Sequence, residues 1–142
     1  MSEIEKYSSE TFDSIRKFDQ NGNEYWEARE LQKILGYSQW RRFENTINRA
    51  KTACENSGIN VLYHFADVGK LSKRANGAKA KIKDYYLSRY ACYLIVQNGD
   101  PRKNIIALGQ TYFAIQTREQ ELSEDEKRIQ NRNLTKKENL SL

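Results

Sequence analysis

Between Asp67 and Asp84 the chain carries no acidic residue, while Lys70, Lys73, Arg74, Lys79, Lys81 and Lys83 crowd into that interval. Cations at this density suit a phosphate backbone, where each contact releases condensed counterions. A second group, Trp40-Arg41-Arg42, sets an indole beside two guanidinium groups, a composition that stacks on a base while gripping its backbone. Arg102 and Lys103 follow Asp100-Pro101 in what reads as the first turn of a helix. Cations there oppose the helix dipole, and an anionic partner relieves them. The candidate nucleic-acid contacts are therefore Trp40, Arg41, Arg42, Lys73, Arg74, Lys79, Lys81, Lys83, Arg102 and Lys103. Tyr85, Tyr86, Tyr90 and Tyr93 are interleaved with Lys83 and Arg89, but the helical spacing of Tyr86, Tyr90 and Tyr93 favours core packing over base stacking.

Bond-breaking chemistry is poorly supplied. His64 is the sole histidine, and its nearest carboxylate is Asp67, so neither a metal triad nor a proton relay is legible. No glycine-rich phosphate loop, serine elbow or paired-cysteine spacing appears, so the expectation is a non-catalytic protein with no cofactor. A metal-dependent nuclease, with Asp67 and Asp84 converging across the basic window, is the weakest of three functional classes. Cys54 and Cys92 lie inside amphipathic helical patterns and are expected to be reduced core thiols.

The elements that position these groups follow from periodicity and breakers. Residues 15–20 and 23–27 flank Asn21-Gly22 and read as a β-hairpin with two positive-φ positions. Ala28 to Leu35 reads as a first helix ended by Gly36. Phe43, Ile47, Ala50 and Cys54 line one face of a second helix, capped by Ser38 and stopped by Gly58, with Arg41, Arg42, Arg49 and Lys51 on the other face. Asn60 to Phe65 reads as a short buried segment. Leu71 to Ala75 and Ala78 to Tyr86 flank Asn76-Gly77 and form either a cationic β-ribbon or a mobile basic loop. Ser88 caps a third helix with Leu87, Ala91, Leu94 and Ile95 buried, and Asp100-Pro101 opens a fourth that buries Ile105, Ile106, Gly109, Tyr112, Phe113 and Gln116. Beyond Leu122 the apolar residues are too sparse for a packed face, and the single Leu122 to Ile129 heptad interval does not specify a coiled coil.

The 142 residues suit one domain, expected over 1–122, with 123–142 a polar tail or the start of a further half. All nine Tyr, five Phe and two Trp precede Gln116, which places the core there. The net charge of +5 is uneven: residues 1–40 carry −3, residues 41–103 carry +8, and residues 104–142 balance. No membrane-spanning run or basic leader is present in the sequence, so a cytoplasmic protein is expected.

Three strings carry a family resemblance: Glu30-Leu31-Gln32-Lys33-Ile34-Leu35-Gly36-Tyr37-Ser38, the run from Arg49 to Gly58, and the run from Ile82 through Lys103 and on to Glu119. Over residues 10–122 the chain resembles the bacterial DNA-damage-inducible protein D family, whose N-terminal half is related to the Bro-N domain of phage and baculovirus proteins. The resemblance implies an α+β domain with an N-terminal β-hairpin, a further basic strand or ribbon, about four helices and a polar tail. It also implies a role in the DNA-damage (SOS) response, with DNA or the filament of the recombinase RecA on single-stranded DNA as partner and inhibition of RecA as outcome. The Bro-N relationship implies DNA binding, as in viral regulators and antirepressors. A phage-type antirepressor acting through protein contacts is the runner-up. Family members continue for a second half of comparable size, so the chain is expected to be either a fragment or a short form. The family supplies no catalytic or contact residues to transfer.

Overall fold

The computed structural model describes residues 11–73 and 75–114, so the expectations on Arg74, Gln116, Leu122, Ile129 and the tail fall outside the described residues. In chain order the elements are α1 (residues 11–13), β1 (Lys17–Phe18), β2 (Glu24–Glu27), α2 (Ala28–Ile34), α3 (Trp40–Asn56), α4 (Val61–His64), β3 (Phe65–Lys73), β4 (Lys79–Leu87), α5 (Arg89–Gln97) and α6 (residues 104–114). The strands form one antiparallel sheet in the order β1-β2-β4-β3. This is the expected α+β architecture. Trp26, Phe65, Tyr85 and Leu87 on the inner side of the sheet meet Phe43, Ile47, Ile95, Ile106 and Phe113 from the helices in a single core. Cys54 and Cys92 are free and buried within it, as expected.

Several local devices differ from the sequence reading. The first hairpin exists, but among the described residues positive φ is confined to glycines, so Asn21 does not form the two-residue mirror turn. The Asp19 carboxylate accepts the Asn21 and Asn23 amides at 2.8 and 2.9 Å, closing a five-residue loop, 19–23, that contains Gly22 at φ +79°. Ser38 does not cap α3. Gln39 occupies that position without a side-chain bond. Asn60 to Phe65 is not a buried segment, because Asn60 caps the single turn α4 and leaves Leu62 and Tyr63 exposed, with only Phe65 in the core. Ser88 does cap α5, accepting the Ala91 amide at 3.0 Å. Asp100 accepts the Arg102 amide, but residues 101–103 form a turn and the helix begins at 104, so Arg102 and Lys103 precede it. Gly109 is a point of close approach: a Cβ there would meet Val96 at 3.0 Å and Phe12 at 3.2 Å.

β3 and β4 form an ordered ribbon from Phe65↔Leu87 to Lys73↔Lys79, longer than expected. Its root is fixed by Asp84, which is fully buried. One carboxylate oxygen accepts the amides of Arg29 at 3.0 Å and Tyr85 at 2.8 Å, and the other lies 2.7 Å from Lys70 Nζ. Glu27, at the N-terminus of α2, makes no side-chain cap bond, so Asp84 caps that helix from a strand 55 residues away. Asp84→Ala is expected to destabilise the fold by about 3 kcal/mol, since it uncaps α2 and strips a buried partner from Lys70. Asp84→Asn, which retains the amide acceptor, is expected to lose less. Urea midpoints at neutral pH measure both.

Candidate nucleic-acid interface

Directly paired residues of a ribbon share a side, as do residues two apart along each strand. The register therefore puts Lys73, Lys79, Lys81 and Lys83 on one side of the ribbon, together with Gly69 and Leu71. Lys70, Ser72, Ala80 and Ile82 lie on the other. The pairs from Gly69↔Lys83 to Lys73↔Lys79 contain no buried residue, so this arm projects roughly 17 Å beyond the core at 3.4 Å per residue. Lys81 lies across Gly69, where a Cβ would sit 2.2 Å from its Cε. Leu71 is 74% exposed amid the lysines.

The root is clasped from both sides. Lys83 Nζ lies 3.1 Å from the Glu44 carboxylate of α3, and contacts with Tyr85 and then Glu44 raise its pKa above the ordinary lysine value. On the reverse side Lys70 bridges Glu27 and Asp84 at 2.7 Å each, which makes it a structural cation. Lys51 Nζ, also on α3, sits 4.4 Å from the Tyr85 ring centroid. Trp40 lies beside this root, its ring stacked toward Tyr85 and covered by the Arg29 guanidinium at 3.8 Å. A base stacking on that ring face would have to displace Arg29. Tyr85 is fully buried, and Tyr90 and Tyr93 lean on the core as their helical spacing indicated, whereas Tyr86 lies on strand β4, is exposed and packs on Tyr25. Arg89 is withdrawn from solvent and held by Glu24 at 2.6 and 2.9 Å.

The remaining candidates do not extend the ribbon surface. Arg102 is exposed and paired with Asp100 at 3.0 Å. At about 100° per residue, Arg42 and Arg49 stand roughly 140–160° round α3 from Glu44. Arg42 lines a cleft of about 380 Å³ between α3, the loop before it and the α5–α6 connection, together with Arg49 and Lys103. Arg41 is exposed on the ridge of α3 between the two surfaces. The charge count thus read as one surface what the helix separates into two. Sequence reasoning missed Glu44 and Asp84 as anchors of the arm, because neither is distinctive until the strands are in register.

Residues 14–114 match the BRO family, N-terminal domain. The chain belongs to this family. This BRO domain is also 51% identical over 140 residues to DNA damage-inducible protein D of Escherichia coli (strain K12), a match covering 92% of the chain. It spans about half of that relative, 51% of its length. No solved structure matches. Among its described residues the BRO domain has no helix long and apolar enough to cross a membrane, and no group of three or more His, Cys, Asp or Glu placed to hold a metal.

The charges on the reverse side of the BRO ribbon make the fold acid-sensitive. Burial disfavours ionised Glu27, but its bond with Lys70 and its proximity to Lys17 outweigh this, lowering its pKa from 4.5 to about 2. A depressed carboxyl pKa means the unfolded chain binds more protons between those values. Its stabilisation is therefore complete above about pH 4.5 and is lost as the pH falls toward 2. Glu27→Gln is expected to lower stability at pH 7 and to flatten the decline of stability across pH 4.5 to 2. Denaturant titrations at stepped pH measure the slope.

Proposed function

We propose that this BRO domain is a DNA-binding module of the DNA-damage response, acting in the cytoplasm by binding rather than catalysis. The observation that carries the reading is the projecting arm, on which Lys73, Lys79 and Lys81 share one side with Lys83, the last of them paired with Glu44 at the root. A two-stranded ribbon is narrow enough to enter a major groove or follow a backbone. Lysines alternating along β4 recur about every 6.8 Å, so they meet successive charges of an extended polyanion rather than one compact anion. Trp40 contributes base stacking if Arg29, which covers its ring, swings aside. Leu71 supplies an apolar contact to a base edge or step at the centre of the cationic side. The name of the Escherichia coli relative supports the damage-response assignment. We place the domain's action on DNA, single- or double-stranded, or on the filament that the recombinase RecA forms on single strands, where engagement modulates recombination.

Replacing Lys73, Lys79 and Lys81 with Glu is expected to weaken binding to all sequences alike. It should also reduce the slope of log affinity against log salt by about 0.9 for each duplex phosphate no longer neutralised. Lys83 is left intact because it also anchors the root through Glu44. Fluorescence anisotropy with single- and double-stranded oligonucleotides, with and without RecA filament, checks this. An unchanged slope refutes the ribbon as the contact, and binding only to filament moves the function to protein recognition. Leu71→Ala is expected to reduce affinity severalfold while leaving the salt slope unaltered, because it removes apolar surface and no charge.

A further inference from the structure

The cleft beyond α3 is chemically unlike the arm. Arg42, Arg49 and Lys103 line it, and none of them has an ion-pair partner among the described residues. Its one carboxylate, Asp100, is already engaged by Arg102 in a two-point bond. Arg49 is pre-oriented: one terminal nitrogen donates to Thr46 Oγ1 at 3.1 Å and to the Asn98 carbonyl at 3.5 Å, leaving its other donors unassigned. Thr46 is itself buried and Asn98 is fixed by a bond from its amide to the Leu94 carbonyl, so the support for Arg49 is rigid. Lys103 is drawn over the Tyr37 ring, 4.7 Å from its centroid, which places a third cation at the rim.

We infer that this cleft is a binding site for a phosphate monoester, of either a free nucleotide or the 5′-phosphorylated end of a nucleic-acid strand. Three cations against one already paired carboxylate leave an excess that matches a dianion, and they converge on one volume instead of being strung along a strand. A backbone diester carries a single charge and suits the arm; a monoester carries about two at pH 7 and suits convergent Arg donors. At about 380 Å³ the cleft lies at the small end of the roughly 300–1,000 Å³ range of ligand sites, room for one nucleotide and not for a longer segment. Asn45, on the same wall, offers an amide to a sugar or base. The inference does not depend on the arm, so either can fail alone.

The test is calorimetric titration of the chain with adenosine 5′-monophosphate, inorganic phosphate and adenosine. Alongside it, anisotropy compares oligonucleotides bearing a 5′-phosphate or a 5′-hydroxyl. The nucleotide is expected to saturate and adenosine to show no binding, with affinity falling as the pH drops through about 6, where the monoester gains a proton. Arg42→Ala and Arg49→Gln, both at exposed positions, are expected to weaken it tenfold or more with thermal unfolding unchanged, whereas the arm variant retains it. A tenfold gain for the 5′-phosphorylated strand, competed by the nucleotide, assigns the strand end as the source. Nucleotide binding with both oligonucleotides alike assigns a free nucleotide. Absence of both effects, or effects that survive Arg42→Ala and Arg49→Gln, overturns the site.

Discussion

Asp84 puts a buried carboxylate where the first helix, the reverse-side lysine and the root of the ribbon meet. It accepts the free Arg29 amide of α2, anchors the ammonium of Lys70 and stands at the point where β4 leaves the core. A carboxylate in that position is tolerable only because its charge is met by Lys70 and by two backbone N–H donors. The same bonds join the first hairpin, the start of α2 and the ribbon into one body. An arm rooted in ion pairs and a helix cap, rather than in apolar packing along its length, can stand free of the core and keep its lysines in solvent.

Helix α3 has a complementary part. Its apolar stripe of Phe43, Ile47, Ala50 and Cys54 is spent on the core, which fixes its rotation. That rotation sends Glu44 and Lys51 to the ribbon root and Arg42 and Arg49 to the cleft. The domain consequently presents two cationic surfaces of different geometry, one extended and one convergent. Charge arrangement, more than total charge, distinguishes what each can hold, because a row of spaced cations and a cluster of the same cations select different anions.

Much of the fold was readable from local signals. Apolar spacing marked α2, α3 and α5, Gly36 and Gly58 marked the ends of α2 and α3, and Ser88 capped α5 as its hydroxyl and position imply. The errors arose where two local solutions compete. Asn21-Gly22 is a strong signal for a mirror turn, yet Asp19 two residues earlier captured the amides and made a longer loop. Val61 to Phe65 is apolar enough for burial, but Asn60 caps a turn that aims Leu62 and Tyr63 outward. Ser38 lost the cap position to Gln39 because the helix begins two residues after it.

The ingredients of the candidate surface were already set along the chain: a basic interval without acids, an Asn-Gly turn in its middle, and alternate lysines before Tyr85. Those are local properties, carried by residue type and by the period-two geometry of a strand. Which lysines share a side was settled only in three dimensions. Strand register placed Lys73 on the same side as Lys79, Lys81 and Lys83 and turned Lys70 to the reverse, onto Glu27 and Asp84. The division of Arg42 and Lys103 from the arm was likewise made by the packing of α3. Charges distant in sequence become one site or two according to which apolar faces must be buried, and that choice belongs to the core as a whole.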